Sequence, residues 1–179
     1  MLSLILAVVS LAASRAAADG AEYFVYGAGS MKGQPLFYTD GGAYVGTTGP
    51  PDAGLIINIT LVSQNVSDGS FTANPVNGSA AVTGNWTSPK LYINNNSGSF
   101  DAVGFTSDAN TTITTTGFKQ WGSRLVWVSD AGDLVSKWYA EPVNEENTTY
   151  ILKWNVDNVS TDSAIPVVVK NTSPDLKAR

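Results

Sequence analysis

The chain reads as an all-β protein, a β-trefoil-like barrel of about twelve short strands, with a β-sandwich as the alternative. Three observations predict this. A hairpin plan occurs three times: Leu36, Phe37, Tyr38 and Ala43, Tyr44, Val45 around a Thr39, Asp40, Gly41, Gly42 turn; 91–93 and 99–103 around an Asn/Gly turn; 125–128 and 134–135 around Asp130 to Asp133. Apolar residues in the longest runs alternate with period two. No stretch sustains the 3.6-residue period of an amphipathic helix.

The elements follow in chain order. Residues 1–18 stand apart. The run Leu4 to Ala13 is apolar, and Ala16, Ala17 and Ala18 are small, as at a signal-peptidase site. The run is too short to cross a bilayer. Residues 1–18 are therefore expected to be a signal peptide, and 19–179 a single all-β domain with a short polar tail. Glu22 to Tyr26 is the first strand. The following Gly27, Ala28, Gly29 resembles the start of a dinucleotide fingerprint, but Lys32 stands where the third glycine belongs and Pro35 follows instead of a helix, so a turn is expected. After the first hairpin comes a loop with Pro50 and Pro51.

Residues 55–61 form the clearest strand. Leu55, Ile57, Ile59 and Leu61 alternate with Ile56, Asn58 and Thr60, which puts the first set inward and Asn58 outward. Residues 63–80 are polar, with Phe71 as the large apolar anchor. Ala81, Val82 and Thr83 suggest a short strand, and 111–116 a polar strand or edge. Tyr150, Leu152, Trp154 and Val156 share one face of a later strand. Ile165 to Lys170 is the last strand, and Pro166 belongs at its start or on an edge because it donates no hydrogen bond.

Composition narrows the chemistry. Nine positions open an Asn-x-Ser/Thr sequon: Asn58, Asn65, Asn77, Asn85, Asn95, Asn110, Asn147, Asn158 and Asn171. The chain has 14 Asn and 35 Ser or Thr among 179 residues, for which random placement gives about three sequons. The excess supports export and N-glycosylation. Without residues 1–18 the chain carries 9 basic and 15 acidic side chains, a net charge of -6 with no basic run, so no nucleic-acid partner is expected. Residues 171–179 are polar, so no C-terminal lipid anchor and no membrane insertion after signal cleavage are expected.

The chain has no His and no Cys. A His general base, a thiol nucleophile and the usual zinc or copper ligands are therefore excluded. Asp130 and Asp133 fit turn chemistry better than a calcium site. Paired carboxylates remain as a hydrolytic option, with Glu141, Glu145, Glu146, Asp157 and Asp162 the candidates. All lie in polar loops or at outward positions, where solvated charge suffices to explain them. No enzyme activity, cofactor or metal is expected. Of the five tryptophans, Trp127 and Trp154 share faces with core residues. Trp86 and Trp121 lie beside loops and are the candidates for stacking on sugar rings, with cell-wall polysaccharide as the partner.

Phe24, Val25, Gly29, Ser30 and the run Gln34, Pro35, Leu36, Phe37 resemble the start of fungal secreted cell-wall proteins of the PhiA type. Gly117, Phe118, Gly122, the hairpin at Leu125, Val126, Trp127 and the strand at Lys153, Trp154, Asn155, Val156 are similar to their ending. This chain departs from that type in lacking cysteine. The resemblance implies a fungal extracellular or wall location and a non-enzymatic, structural or developmental role. It supplies no catalytic residues. A lectin-like carbohydrate-binding module is the second expectation, and a glycoside hydrolase the third.

Overall fold

A computed structural model describes residues 20–76, 86–108, 110–144, 146 and 148–174. Among them are fourteen strands and no helix. They are β1 (Phe24–Gly27), β2 (Lys32–Thr39), β3 (Gly42–Gly46), β4 (Ile56–Asn65), β5 (Ser70–Pro75), β6 (Lys90–Tyr92) and β7 (Phe100–Ala102), followed by β8 (Gly104–Thr106), β9 (Phe118–Trp121), β10 (Arg124–Val128), β11 (Leu134–Val135), β12 (Trp138–Pro142), β13 (Thr149–Asn155) and β14 (Ile165–Lys170). Ten of them close into an antiparallel barrel in the order β1, β2, β4, β5, β6, β8, β3, β13, β12, β14 and back to β1. A direct β2–β3 pairing bridges the ring. Closure gives each of these ten strands a partner on both sides, through single pairs at β3–β8 and β5–β6, which limits the usual route to edge-on aggregation. The additional strands attach outside the ring: β7 to β13, and the β9–β10–β11 unit to β14 through β10.

Turn chemistry sets the hairpins. Asp40 (φ 47°) and Gly41 (φ 89°) are the two loop residues between paired Thr39 and Gly42. Positive φ at both positions is the hairpin turn that matches strand twist, and Asp-Gly favours it. The Gly27 to Met31 segment is likewise a turn, closed by the Gly27 N–H donating to the Met31 carbonyl at 2.7 Å.

The period-two reading of β4 holds. Ile57, Ile59 and Leu61 are buried, Ile56 and Asn58 are exposed, and Leu55 is half-buried just before the strand. Tyr150, Leu152 and Trp154 point inward from β13, and Phe71 is buried on β5. Tryptophans occupy the middle of the core. Trp138 and Trp154 are directly opposed across β12 and β13, with ring centroids 4.6 Å apart and edge to face. Trp127 meets Trp154 edge to face at 6.5 Å. The Trp138 indole N–H donates to the Leu125 carbonyl at 3.0 Å, and that of Trp127 to the Thr116 carbonyl at 3.1 Å. For Trp127 and Trp138 a satisfied donor removes the main penalty of placing Trp inside, whereas the buried Trp154 indole N–H has no hydrogen-bond partner among the described residues.

The second expected hairpin does not form. Residues 90–92 pair with β5 and β8, whereas 100–102 pair with β13. The intervening turn is held elsewhere: Asp157 accepts from Ser97 Oγ and from the Gly98 N–H, tying the turn to the end of β13. The first and third hairpins do pair. Residues 111–116 contribute a single bridge, Thr114 to Ile93, rather than a strand. The expected signal peptide and the short strand at 81–83 lie outside the described residues.

Candidate functional site: a tyrosine-walled cleft

The β2–β3 turn, the β6–β8 pair and the loop before β4 enclose a cleft of about 690 Å³. Its construction begins with glycine. Gly42 of β3 faces Gly104 of β8 directly. A Cβ at Gly42 would lie 2.6 Å from the Tyr44 ring, and one at Gly104 would lie 2.5 Å from the Gly41 carbonyl and 2.7 Å from Tyr92 Oη. The two missing side chains make room for the two tyrosine rings, the arrangement by which aromatics cover strand glycines. Tyr44, Tyr92 and Phe105 line the cleft, with Asp40, Asp52 and Asn110 among its polar groups.

The rim is fastened. Asp40 accepts the Gly54 N–H at 2.8 Å, which ties the Pro50 and Pro51 loop to the hairpin turn. The Gly41 carbonyl accepts the Phe105 N–H at 2.7 Å, fastening β8 to the same turn. On the opposite rim Asn110 Oδ1 accepts the Thr112 N–H at 2.9 Å. Beneath, Thr39 Oγ1 is buried without a hydrogen-bond partner among the described residues. The Tyr92 hydroxyl is pushed above the usual tyrosine range by burial first and by the negative charge of Asp101 second. It therefore stays protonated at neutral pH and keeps its capacity to donate. Aromatic faces beside carboxylate, amide and hydroxyl groups suit a neutral polyhydroxylated ligand: rings take the apolar faces of sugars, and short polar groups take their hydroxyls.

No protein-family model matches the chain, no curated protein matches it, and no solved structure matches it. The chemistry of its own residues therefore carries the functional reading.

The residues singled out from sequence are distributed as follows. Trp86 is half-buried: its N–H donates to the Ala73 carbonyl at 2.9 Å, and it lies edge-on to Tyr38 at 5.0 Å. Tyr38 in turn packs on Phe105 at 5.8 Å. Trp86 thus stands behind the wall of the cleft rather than in it. Trp121 is 57% exposed at the end of β9. Neither lines the cleft, and no ring contact joins them among the described residues. Of the sequon asparagines, Asn58, Asn110 and Asn158 are exposed, and Asn95 and Asn171 half-buried. Asn77, Asn85 and Asn147 lie outside the described residues, and of Asn65 only the backbone position in β4 is described.

Of the carboxylates singled out as hydrolytic candidates, Glu141, Glu146, Asp157 and Asp162 do not line the cleft. Glu141 pairs with Lys153 at 2.7 Å and accepts from Ser163 Oγ at 3.2 Å. The Lys153 hydrogen bond is the largest influence holding the Glu141 carboxyl below its usual range. Asp157 is held low chiefly by the Gly98 N–H, then by Ser97. Glu146 and Asp162 are exposed, and Glu145 lies outside the described residues. Asp130 and Asp133 are exposed, and their turn is organised by Ser129, whose Oγ accepts the Asp133 N–H at 3.1 Å. No cluster of three potential metal ligands exists among the described residues.

Sequence reasoning missed the cleft. Its signal is present but non-local: Tyr44 lies two residues after Gly42, and Tyr92 becomes relevant only when β8 brings Gly104 across.

Proposed function

We propose that this chain is a non-catalytic, secreted glycoprotein held in or on a fungal cell wall, with a structural or developmental role. The observation that carries this reading is the placement of the sequons. None of the five sequon asparagines with described side chains is buried, whereas Asn155, outside any sequon, is fully buried. Glycans need the first environment and could not form in the second. The fungal and wall assignments rest on the resemblance at residues 24–37 and 117–156. The finer description of the barrel as trefoil-like rests on the two hairpins that pair and lacks the third.

Intact-mass measurement before and after endoglycosidase tests secretion with glycosylation. A mass well above that of the bare chain is expected, and equality with the bare chain overturns the reading. Retention at the wall is expected to be non-covalent, through glycans and polar loops, and therefore reversible and multivalent. Sequential extraction of walls, hot detergent before glucanase, should release the protein in the first step. Release only by glucanase overturns non-covalent retention.

A second reading, a carbohydrate-binding module, is favoured by the Tyr44 and Tyr92 walls of the cleft. It predicts retention on a neutral β-glucan or on chitin that falls when Tyr44 or Tyr92 is replaced by Ala. Equal retention of these variants and the parent protein removes the cleft from consideration.

A further inference from the structure

Four cations collect on one outer face of an otherwise acidic molecule. Register places them there. Trp121 of β9 is directly opposite Arg124 of β10, Arg124 opposite Lys170 of β14, Lys170 opposite Phe24 of β1, and Phe24 opposite Pro35 of β2. Residues directly opposed across antiparallel strands share a face, so these five form one row across five strands. The alternate residues Leu125, Val169, Val25 and Leu36 are buried, so the row is the outward one. Lys119, two residues before Trp121, falls on the same face and is exposed; a second row runs from Val168 through Tyr26 to Lys32.

Lys32, Lys119, Arg124 and Lys170 are four of the seven Lys or Arg among the described residues, in a chain of net charge -5. Neither row contains Asp or Glu, and the one acid brought to this face by the same two-residue spacing is exposed Glu22, two residues before Phe24. None of these four cations takes part in the Lys153–Glu141 ion pair. Like charges directly opposed, as Arg124 and Lys170 are, destabilise a sheet. The surface is also shaped. Lys32, Lys170, Tyr26, Ser123 and Thr172 line a cleft of about 530 Å³. The Tyr26 hydroxyl donates to the Thr172 carbonyl at 2.8 Å, and Lys170 Nζ sits 4.9 Å from the Tyr26 ring centroid. The row spans about 19 Å at ordinary strand spacing.

We propose that this face binds an acidic polysaccharide, a sugar polymer bearing carboxylate or phosphate groups. The cations pair with its acidic groups, the hydroxyl-lined cleft takes sugar hydroxyls, and exposed Trp121 stacks on a ring. Charge complementarity and the hydroxyl lining of the cleft favour this partner over a membrane, for which a face with one well-exposed aromatic is poorly suited. The inference depends on the register of β9, β10, β14, β1 and β2, not on the wall assignment or on the Tyr44 cleft.

The test is binding of the whole glycoprotein to immobilised polygalacturonate and to a phosphorylated mannan, with neutral β-glucan, anionic phospholipid vesicles and a single-stranded oligonucleotide alongside. Retention on an acidic polysaccharide at low salt is expected, with release as salt shortens the screening length. Arg124→Glu should weaken it several-fold, whereas Lys90→Glu, an equal charge change at exposed Lys90 on β6, should not. Trp121→Ala should weaken it at every salt concentration, because stacking is not screened. Tyr44→Ala should leave it unchanged, which separates this face from the cleft. Sequon Asn171 adjoins Lys170, so the measurement is repeated on deglycosylated protein, with retention expected to persist. The proposal is overturned by no retention on either acidic polymer, by equal effects of Arg124→Glu and Lys90→Glu, by tighter binding to vesicles or oligonucleotide, or by retention that vanishes on deglycosylation.

Discussion

Ile57 and Asn58 are neighbours in β4 with opposite fates: Ile57 is 1% exposed, and Asn58 faces solvent. Ile57→Asp should prevent folding, because an unpaired buried carboxylate costs several kcal/mol out of a total stability of roughly 5 to 15. Asn58→Asp should alter melting little beyond the loss of its sequon, and equal melting of the two variants contradicts the register of β4. Trp138 illustrates the other residue-scale term. Trp138→Ala should cost about 3 to 5 kcal/mol in chemical denaturation, since the cavity opens against Trp154 and leaves the Leu125 carbonyl without its donor. Glu141 supplies a pH dependence. Its folded carboxyl is held below its usual value of 4.5, so the unfolded chain binds more protons there. The Lys153 pair therefore stabilises the fold above that value, and its contribution is lost as pH falls through the lower folded value. Being partly solvent-screened, the pair contributes about 0.2 to 1 kcal/mol. The stability gap between parent and Glu141→Gln should be present above pH 4.5 and close as pH falls below it. A gap that stays constant on acidification contradicts the assignment.

Among elements, the β2–β3 hairpin and β8 form one unit. The hairpin turn holds the Pro50 and Pro51 loop through Asp40 and holds β8 through the Gly41 carbonyl. Gly104→Ala introduces a methyl 2.5 Å from that carbonyl, where backbone must yield. Overpacking of this kind costs about 1 to 3 kcal/mol, and it should also disturb the Tyr92 wall, lowering any neutral-glycan retention together with the melting temperature. A melting temperature unchanged by Gly104→Ala means that β8 sits farther from the turn than described. The failed second hairpin belongs to this scale too. Leu91, Tyr92 and Ile93 have the apolar character of a hairpin arm, yet the turn after them is anchored by Asp157, sixty positions away from Ser97. Local pattern cannot register such a partner.

At the scale of the molecule, closure is the organising event. Ten strands share one barrel, and β9, β10 and β11 extend the sheet from β14 through β10, which creates the five-strand outer face with its row of Trp121, Arg124 and Lys170. Sequon placement acts at this scale as well. Asn110 lines the tyrosine-walled cleft, so a glycan there stands at its mouth. If the cleft takes sugar, Asn110→Gln should raise neutral-glycan retention, read on the same resin as the tyrosine variants. Lower retention by that variant would mean that the glycan itself makes the contact.

By itself the sequence determined the all-β class, the inward phase of β4 and β13, the Asp-Gly hairpin, the sequon excess and the absence of His and Cys chemistry. Each depends on side-chain type or short-range periodicity, which a strand expresses through its alternating faces. Tertiary structure alone decided that the barrel closes with ten strands, that 90–92 and 100–102 take different partners, and that Trp86 buttresses a wall while Trp121 stays exposed. It also decided that Gly42 and Gly104 meet beneath two tyrosines, and that scattered cations at 32, 119, 124 and 170 share a face. These are pairings across tens of residues, fixed by which strands can be hydrogen-bonded and buried at once, and no local window of the chain contains both partners.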